Sequence, residues 1–106
     1  MSSEQERRAA TRVKVHLEVT FTAGTALPMT GTVENISKNG VLLIAPIALA
    51  AQTRVRIAFT DPHSRTQRTI EGEVVRSAPA GKFGVSFVGT DEAALAFVRT
   101  LVEELA

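Results

Sequence analysis

The sequence predicts an all-β fold of about six short strands, followed by one C-terminal helix. Two observations support this prediction. Between Val13 and Phe87, apolar and polar residues alternate in short segments that are separated by turn sequences, as in strands with one buried face. After Gly89 the apolar residues recur at helical spacing instead. Short strands at this spacing are typical of a sandwich or a barrel, and closing a small barrel removes the exposed sheet edges.

The first three strands are predicted from the N-terminal half of the chain. Apolar residues occupy every second position from Val13 to Phe21, with polar residues between them. A second strand is expected from about Met29 to Ile36. The turn sequence Ser-Lys-Asn-Gly at 37–40 then leads into the apolar run Val41–Ile44, which predicts a strand covered on both faces.

Three more strands are predicted after a connection around Pro46. Apolar and polar residues alternate again from Val55 to Phe59. The turn at 61–64 contains an aspartate and a proline, and it precedes a strand over roughly residues 66–76, in which Gly72 is a possible bulge. A final strand is marked by phenylalanine and valine at alternate positions over residues 83–87.

The C-terminal segment, 91–105, is predicted to be an amphipathic helix. Either Thr90 or Asp91 is expected as its N-cap, and the acidic residues of the first turn suit the helix dipole. The predicted apolar stripe either covers an open end of the barrel or pairs with a partner. Its members are Leu95, Val98, Leu101, Val102 and Leu105.

Size and composition indicate one reduced, globular domain. The chain has 106 residues and no cysteine, which excludes disulfides, thiolate metal sites and cysteine nucleophiles. The longest nearly uncharged run, 40–53, is too short and too interrupted by Pro46 to cross a membrane. The first eight residues are polar and lack the apolar centre of a secretory signal, so we expect a cytoplasmic protein.

The net charge of +1 hides an uneven distribution along the chain. Residues 1–14 contain four basic and two acidic residues, whereas residues 91–106 contain one basic and four acidic residues. Proteins that coat a polyanion carry a much larger basic excess, so a general nucleic-acid binder is not expected. One small anion held by a local group of arginines remains compatible with these charges.

Catalytic signatures are weak throughout the sequence. His16 lies on the polar face of the first strand and His63 in a turn, neither at a metal-ligand spacing from another ligand. Glu71 and Glu73 alternate on one strand face, where we expect the polar outside of the sheet beside Arg68 and Arg76. We therefore expect neither an enzyme nor a metal site.

Two short segments carry most of the information on function. Arg7, Arg8 and Arg12 precede the first strand in an N-terminal segment, 1–12, that we expect to be flexible. The planar guanidinium donates paired hydrogen bonds to phosphates or to the O6/N7 edge of guanine, and it stacks on aromatic rings. The second segment, Asn-Ile-Ser-Lys-Asn-Gly at 35–40, offers amide and hydroxyl groups at a strand end, before a glycine.

Together the two segments resemble the PilZ domain family, which binds the bacterial second messenger cyclic di-GMP. Arg8 and Arg12 match the family's R-x-x-x-R motif, and Asn35, Ser37 and Gly40 match its [D/N]-x-S-x-x-G motif. The similarity extends over almost the whole chain, with the barrel at 13–106. It implies a six-stranded antiparallel barrel with a C-terminal helix.

The resemblance also implies roles for individual residues. Arg8 and Arg12 would contact guanine edges and phosphates, while Asn35 and Ser37 would bind the other guanine. Gly40 would shape the turn beneath that base. An arginine at the position of Arg7 is associated in the family with a mutually intercalated ligand dimer.

Two positions depart from the family pattern. Many relatives carry glycine at the position of Asn39 and tryptophan at the position of Arg76. The first change stiffens the turn or adds a polar contact. The second removes stacking area near the site.

The resemblance implies a cyclic di-GMP receptor, without enzymatic activity, whose N-terminal arginine segment becomes ordered on ligand binding. Such a receptor signals to a downstream effector protein, as a monomer or a homodimer, with no membrane or general nucleic-acid partner and no cofactor. One alternative is a ligand-independent interaction module with the same fold. Another is a small OB-like barrel for single-stranded nucleic acid, which the absence of Tyr and Trp disfavours.

Overall fold

A computed structural model of the chain describes residues 12–24, 27–78, 81–89 and 91–105. Arg7 and Arg8, and with them most of the predicted N-terminal segment, lie outside the described residues. Within these residues the elements are six strands and one helix: β1 (Val13–Ala23), β2 (Met29–Ser37), β3 (Gly40–Ile44), β4 (Arg54–Thr60), β5 (Gln67–Ala78), β6 (Lys82–Phe87) and α1 (Glu92–Leu105).

The six strands form one closed antiparallel barrel, in the order β1-β2-β3-β6-β5-β4. The barrel closes because β1 pairs with β2 on one side and with β4 on the other. Closure satisfies the backbone donors and acceptors that an open edge would expose. The predicted all-β class and the six-stranded barrel are confirmed.

The interior is filled by the apolar residues that alternate along the strands. In β1, Val19 and Phe21 are buried while Thr20 between them is exposed. Phe59 and Phe87 pack edge to face, with ring centroids 6.2 Å apart and an interplanar angle of 84°. The largest fully buried side chains are Phe21, Phe59, Ile36, Leu43, Ile57 and Leu101.

The helix α1 packs against the barrel core. Its N-cap is Asp91, whose Oδ1 accepts the backbone N–H of Ala94 at 2.8 Å. Ala94, Val98 and Leu101 are buried against the core. The prediction that Leu95 belongs to the packed stripe was wrong, since its side chain is 37% exposed. The buried face of the helix is rotated relative to the predicted stripe and includes Ala94 instead.

Two strand predictions also need correction. In β3, Val41 and Leu43 are buried, but Leu42 is only half-buried, so the strand is not covered on both faces. Gly72 is not a bulge, because it pairs in register on both sides. A Cβ at this position would lie 2.5 Å from Cγ1 of Val85, so the glycine serves close packing inside the barrel.

The outer face of the sheet carries ion pairs between different strands. Glu71 lies 3.6 Å from Arg56, from Oε2 to Nε, so its nearest basic partner is on β4 rather than at Arg68 or Arg76. Lys82 Nζ lies 3.3 Å from Glu34 Oε1. Because these side chains are largely solvated, each pair contributes little to stability.

The turn between β4 and β5 is organised by the buried carboxylate of Asp61. Its Oδ1 accepts the backbone N–H groups of His63 at 2.8 Å and of Ser64 at 3.2 Å. Burial acts to raise the pKa of Asp61, but these hydrogen bonds and one with Glu104 outweigh it and lower the pKa. Burial, and then Asp61 itself, raises the pKa of Glu104. This pair links the turn to the last turn of α1.

Candidate functional site

A depression of about 180 Å³ lies on the outer side of the barrel across β2, β3, β6 and β5. Four of the six predicted site residues line it: Arg12, Asn35, Ser37 and Gly40. Arg12 immediately precedes β1, and the other three lie around the β2–β3 hairpin. Arg7 and Arg8 lie outside the described residues, so their positions relative to the depression stay predictions.

An irregularity in β2 turns Asn35 toward the outside. The β2–β3 register shifts between Val33 and Asn35, which leaves Glu34 as an extra residue in β2. Val33 and Ile36 are therefore both buried, and Asn35 and Ser37 lie on the other side of the strand. With regular alternation Asn35 would share the inward face of Val33, so the bulge is what makes its amide available to the depression.

Ser37 stabilises the hairpin from within. Its Oγ accepts the backbone N–H of Asn39 at 3.2 Å, and it lies 3.5 Å from the Gly40 carbonyl oxygen, to which it donates. The side chain is only 6% exposed. Asn39 does not have a positive φ, so a glycine is not needed at this position.

Gly40 allows two strands to approach closely. A Cβ at position 40 would overlap the carbonyl oxygen of Val85 on β6. The φ of Gly40 is not positive, so the backbone conformation does not require glycine here. Glycine is required because of the close contact with the β6 backbone. The glycine thus fixes the floor of the depression at the point where β3 meets β6.

Five residues in register form a row across the outer surface of the barrel. Asn35 on β2 pairs with Lys14 on β1 and with Leu42 on β3. Leu42 pairs with Gly84 on β6, and Gly84 pairs with Arg76 on β5. The apolar and side-chain-free centre of this row is thus flanked by an amide on one side and a guanidinium on the other.

Arg76 reaches the depression because of a second bulge. The β5–β6 register shifts between Val74 and Arg76, leaving Val75 as the extra residue, 57% exposed. The Arg76 stem then lies across Gly84: a Cβ on that glycine would be 3.0 Å from Cγ and 3.1 Å from Nε of Arg76. Arg76 and Arg12 thus both line the depression, which favours an anionic or acceptor-rich ligand.

Sequence reasoning did not predict Arg76 and Gly84 as site residues. The sequence predicts Arg76 on the polar outside of the sheet, and the family resemblance implies only a loss of stacking area at this position, whereas the structure puts its side chain at the depression. A glycine inside a strand pattern is a known signal of a close approach, and Gly84 carries that signal. The bulge at Val75 leaves no comparable mark in the sequence.

The described residues show neither a membrane-spanning helix nor a cluster of metal ligands. No helix within them is long and apolar enough to span a bilayer. No group of three or more His, Asp or Glu side chains within them is arranged to hold a metal ion.

The fold and the depression define a small closed barrel with a basic, polar site on its side. The family model of the PilZ domain matches residues 6–104, so the chain belongs to the PilZ domain family. No curated protein sequence matches the chain at a significant level.

Solved structures of PilZ domains share this fold. The PilZ domain of CeSA from a cellulose-synthesizing bacterium aligns with a TM-score of 0.74 at 18% identity, covering 91% of this chain and 98% of that chain. The PilZ domain of YcgR from Escherichia coli, solved with c-di-GMP, aligns with a TM-score of 0.72 at 9% identity, covering 93% of this chain and 91% of that chain. PlzA from Borreliella burgdorferi, in complex with c-di-GMP, aligns with a TM-score of 0.68 at 13% identity, covering 94% of this chain and 43% of PlzA.

Proposed function

We propose that the chain is a receptor domain for cyclic di-GMP, and that the ligand binds in the depression between β2 and β5. The observation that carries this proposal is the convergence of both family motifs on one surface. Arg12 from the first motif and Asn35, Ser37 and Gly40 from the second line the same depression. Two solved neighbours of the same fold, YcgR and PlzA, contain c-di-GMP.

The chemistry of the site fits a guanine dinucleotide. The Asn35 amide offers both an acceptor and donors, which match the N–H groups and O6 of guanine. Arg12 offers a donor-only fork for phosphate oxygens or for the O6/N7 edge. No step of this function requires catalysis, and the domain acts by binding alone.

In this proposal Arg7 and Arg8 complete the site when the ligand binds. Two phosphates and two guanines supply enough acceptors to order a basic segment against the barrel. The ordered segment would change the surface that the domain shows to a downstream effector protein. Because cyclic di-GMP is a bacterial second messenger, we place this action in the cytoplasm.

Calorimetric titration with cyclic di-GMP tests the proposal. We expect the wild type to bind at about micromolar or tighter affinity. Arg12→Ala and Asn35→Ala should each weaken binding by about tenfold or more, since the first removes a charged donor and the second a half-buried amide that can both donate and accept. Arg99→Ala is the matched control, because Arg99 lies exposed on α1, outside the depression, and its loss changes the net charge equally.

Two outcomes would contradict the receptor proposal. A folded wild-type protein that releases no heat with cyclic di-GMP leaves the ligand-independent interaction module as the better account. Equal weakening by Arg12→Ala and by the Arg99→Ala control would show that only the general charge of the domain matters.

A further inference from the structure

Arg76 is held against the depression by its neighbour on β6. Position 84 is a glycine, and its missing side chain leaves the space that the Arg76 stem occupies. Because Gly84 lies between Arg76 and Leu42 in the row, this contact directs the guanidinium toward the depression. Among the described residues no carboxylate oxygen lies within 4.0 Å of the Arg76 guanidinium.

The row from Asn35 to Arg76 has the dimensions of a purine site. Three spacings between neighbouring strands separate its two end residues, about 14 Å along the sheet at about 4.8 Å each. Leu42 is half-buried, and the backbone of Gly84 is covered by the Arg76 stem, so Leu42 and this stem form the floor in the middle of the row. A planar base can rest on this floor with one edge toward each end of the row.

The two ends of the row offer complementary chemistry. The Asn35 amide can accept from the N1 and N2 donors of guanine. The Arg76 guanidinium donates only, in a fork that fits the adjacent O6 and N7 acceptors of the same base. Adenine presents an amino donor where guanine presents O6, so the same fork disfavours adenine.

From this geometry we propose that Arg76 determines specificity by reading the O6/N7 edge of one guanine, which lies over Leu42 between Asn35 and the Arg76 guanidinium. The inference rests on the proposed function, because the guanine belongs to bound cyclic di-GMP. It gives Arg76 a positive role in recognition, where the family resemblance implied only lost stacking area.

The test combines protein variants with a ligand analogue. Calorimetry is carried out on wild type and Arg76→Ala with cyclic di-GMP and with its 7-deazaguanine analogue, which lacks N7 but retains both phosphates. Arg76→Ala should weaken cyclic di-GMP binding about 5- to 150-fold, the range of a bidentate base contact. The analogue should bind wild type more weakly than cyclic di-GMP, and this difference should be clearly smaller for Arg76→Ala, because any N7 contact made by Arg12 is lost equally in both proteins.

Three further variants sharpen the test. Arg76→Lys keeps the charge without the fork and should bind between wild type and Arg76→Ala. Gly84→Ala should weaken binding as Arg76→Ala does, because the methyl group displaces the Arg76 stem; Arg76→Ala still decides the outcome if Gly84→Ala fails to fold. Arg99→Ala should bind like wild type.

The results separate this inference from the receptor proposal. If wild type does not bind cyclic di-GMP, both fall. If wild type binds and Arg12→Ala weakens binding while Arg76→Ala binds like wild type, only the role of Arg76 is overturned. Equal weakening of both ligands by Arg76→Ala also overturns guanine reading and assigns Arg76 to a phosphate.

Discussion

Gly40 on β3 lies directly against the backbone carbonyl of Val85 on β6, with no room for a Cβ between them. The two strands pair here, Gly40 opposite Ser86 and Val41 opposite Val85. The motif glycine is therefore needed by the barrel itself, before any ligand is considered. It couples the hairpin that carries Asn35 and Ser37 to the strand that carries Gly84.

Gly40→Ala should lower stability as well as ligand affinity. The added methyl group forces β3 and β6 apart, at a cost of about 1–3 kcal/mol of unfolding free energy, as for other overpacked sites. Urea denaturation measures this cost. The control is Asn39→Ala, an exposed neighbour that should change stability by less than about 0.5 kcal/mol. An unchanged Gly40→Ala midpoint would contradict the backbone contact.

Ser37→Ala should destabilise the β2–β3 hairpin. The substitution removes the hydroxyl that accepts the Asn39 N–H, at a cost of about 1 kcal/mol. Denaturant unfolding monitored by circular dichroism checks this. Ser37→Thr keeps the hydroxyl and should retain more stability than Ser37→Ala. If the two variants were equally stable, the hydroxyl would not contribute to the hairpin.

Two leucines of α1 should respond differently to truncation. Leu101→Ala should cost about 2–5 kcal/mol, because Leu101 is fully buried against the barrel. Leu95→Ala is the matched control on the same helix and should cost much less, since Leu95 is 37% exposed. Thermal unfolding of both variants measures the difference, and similar losses would mean that the stripe faces a partner protein instead.

The Asp61–Glu104 pair predicts a specific pH dependence. The pKa of Glu104 is raised, so its contribution to stability is present at acid pH and lost as the pH rises through that pKa. The pKa of Asp61 is lowered, so its contribution is lost in the opposite direction, as the pH falls. When the pH is above the pKa values of both groups, the two carboxylates are ionised and repel each other.

Glu104→Gln tests this pair. Glutamine carries no charge at any pH, so the melting temperature of the variant should exceed that of wild type above the pKa of Glu104, and the difference should shrink as the pH falls through that pKa. The control is Glu103→Gln, an exposed neighbour on the same helix turn. A difference that stays constant with pH, or that appears equally in Glu103→Gln, would rule out the coupling.

Much of the fold could be predicted from local patterns. Alternation of apolar residues located β1 and β4 to within a residue or two, because one face of each strand is buried. The bounds of the helix were predicted equally well, but its buried face differs from the predicted one, because it includes Ala94 instead of Leu95. That orientation depends on how the helix packs on the barrel, which periodicity alone does not determine.

The site was predictable only where a motif marks it. Asn35, Ser37 and Gly40 lie together because they belong to one hairpin, and Arg12 joins them through the pairing of β1 with β2. Arg76 reaches the same depression through a bulge at Val75 and a glycine on another strand. Register shifts of this kind result from strand pairing across the barrel, so no local sequence pattern indicated them.

The most direct test of the central claim is an NMR titration of the ¹⁵N-labelled protein with cyclic di-GMP. The account predicts saturable shifts of backbone amides that concentrate on 35–42, Arg76 and Gly84, while the amides of Ala45 and of residues 47–49, in the connection between β3 and β4 outside the depression, do not shift. Shifts that concentrate on 45–49, or no shifts at all in a folded protein, would contradict it.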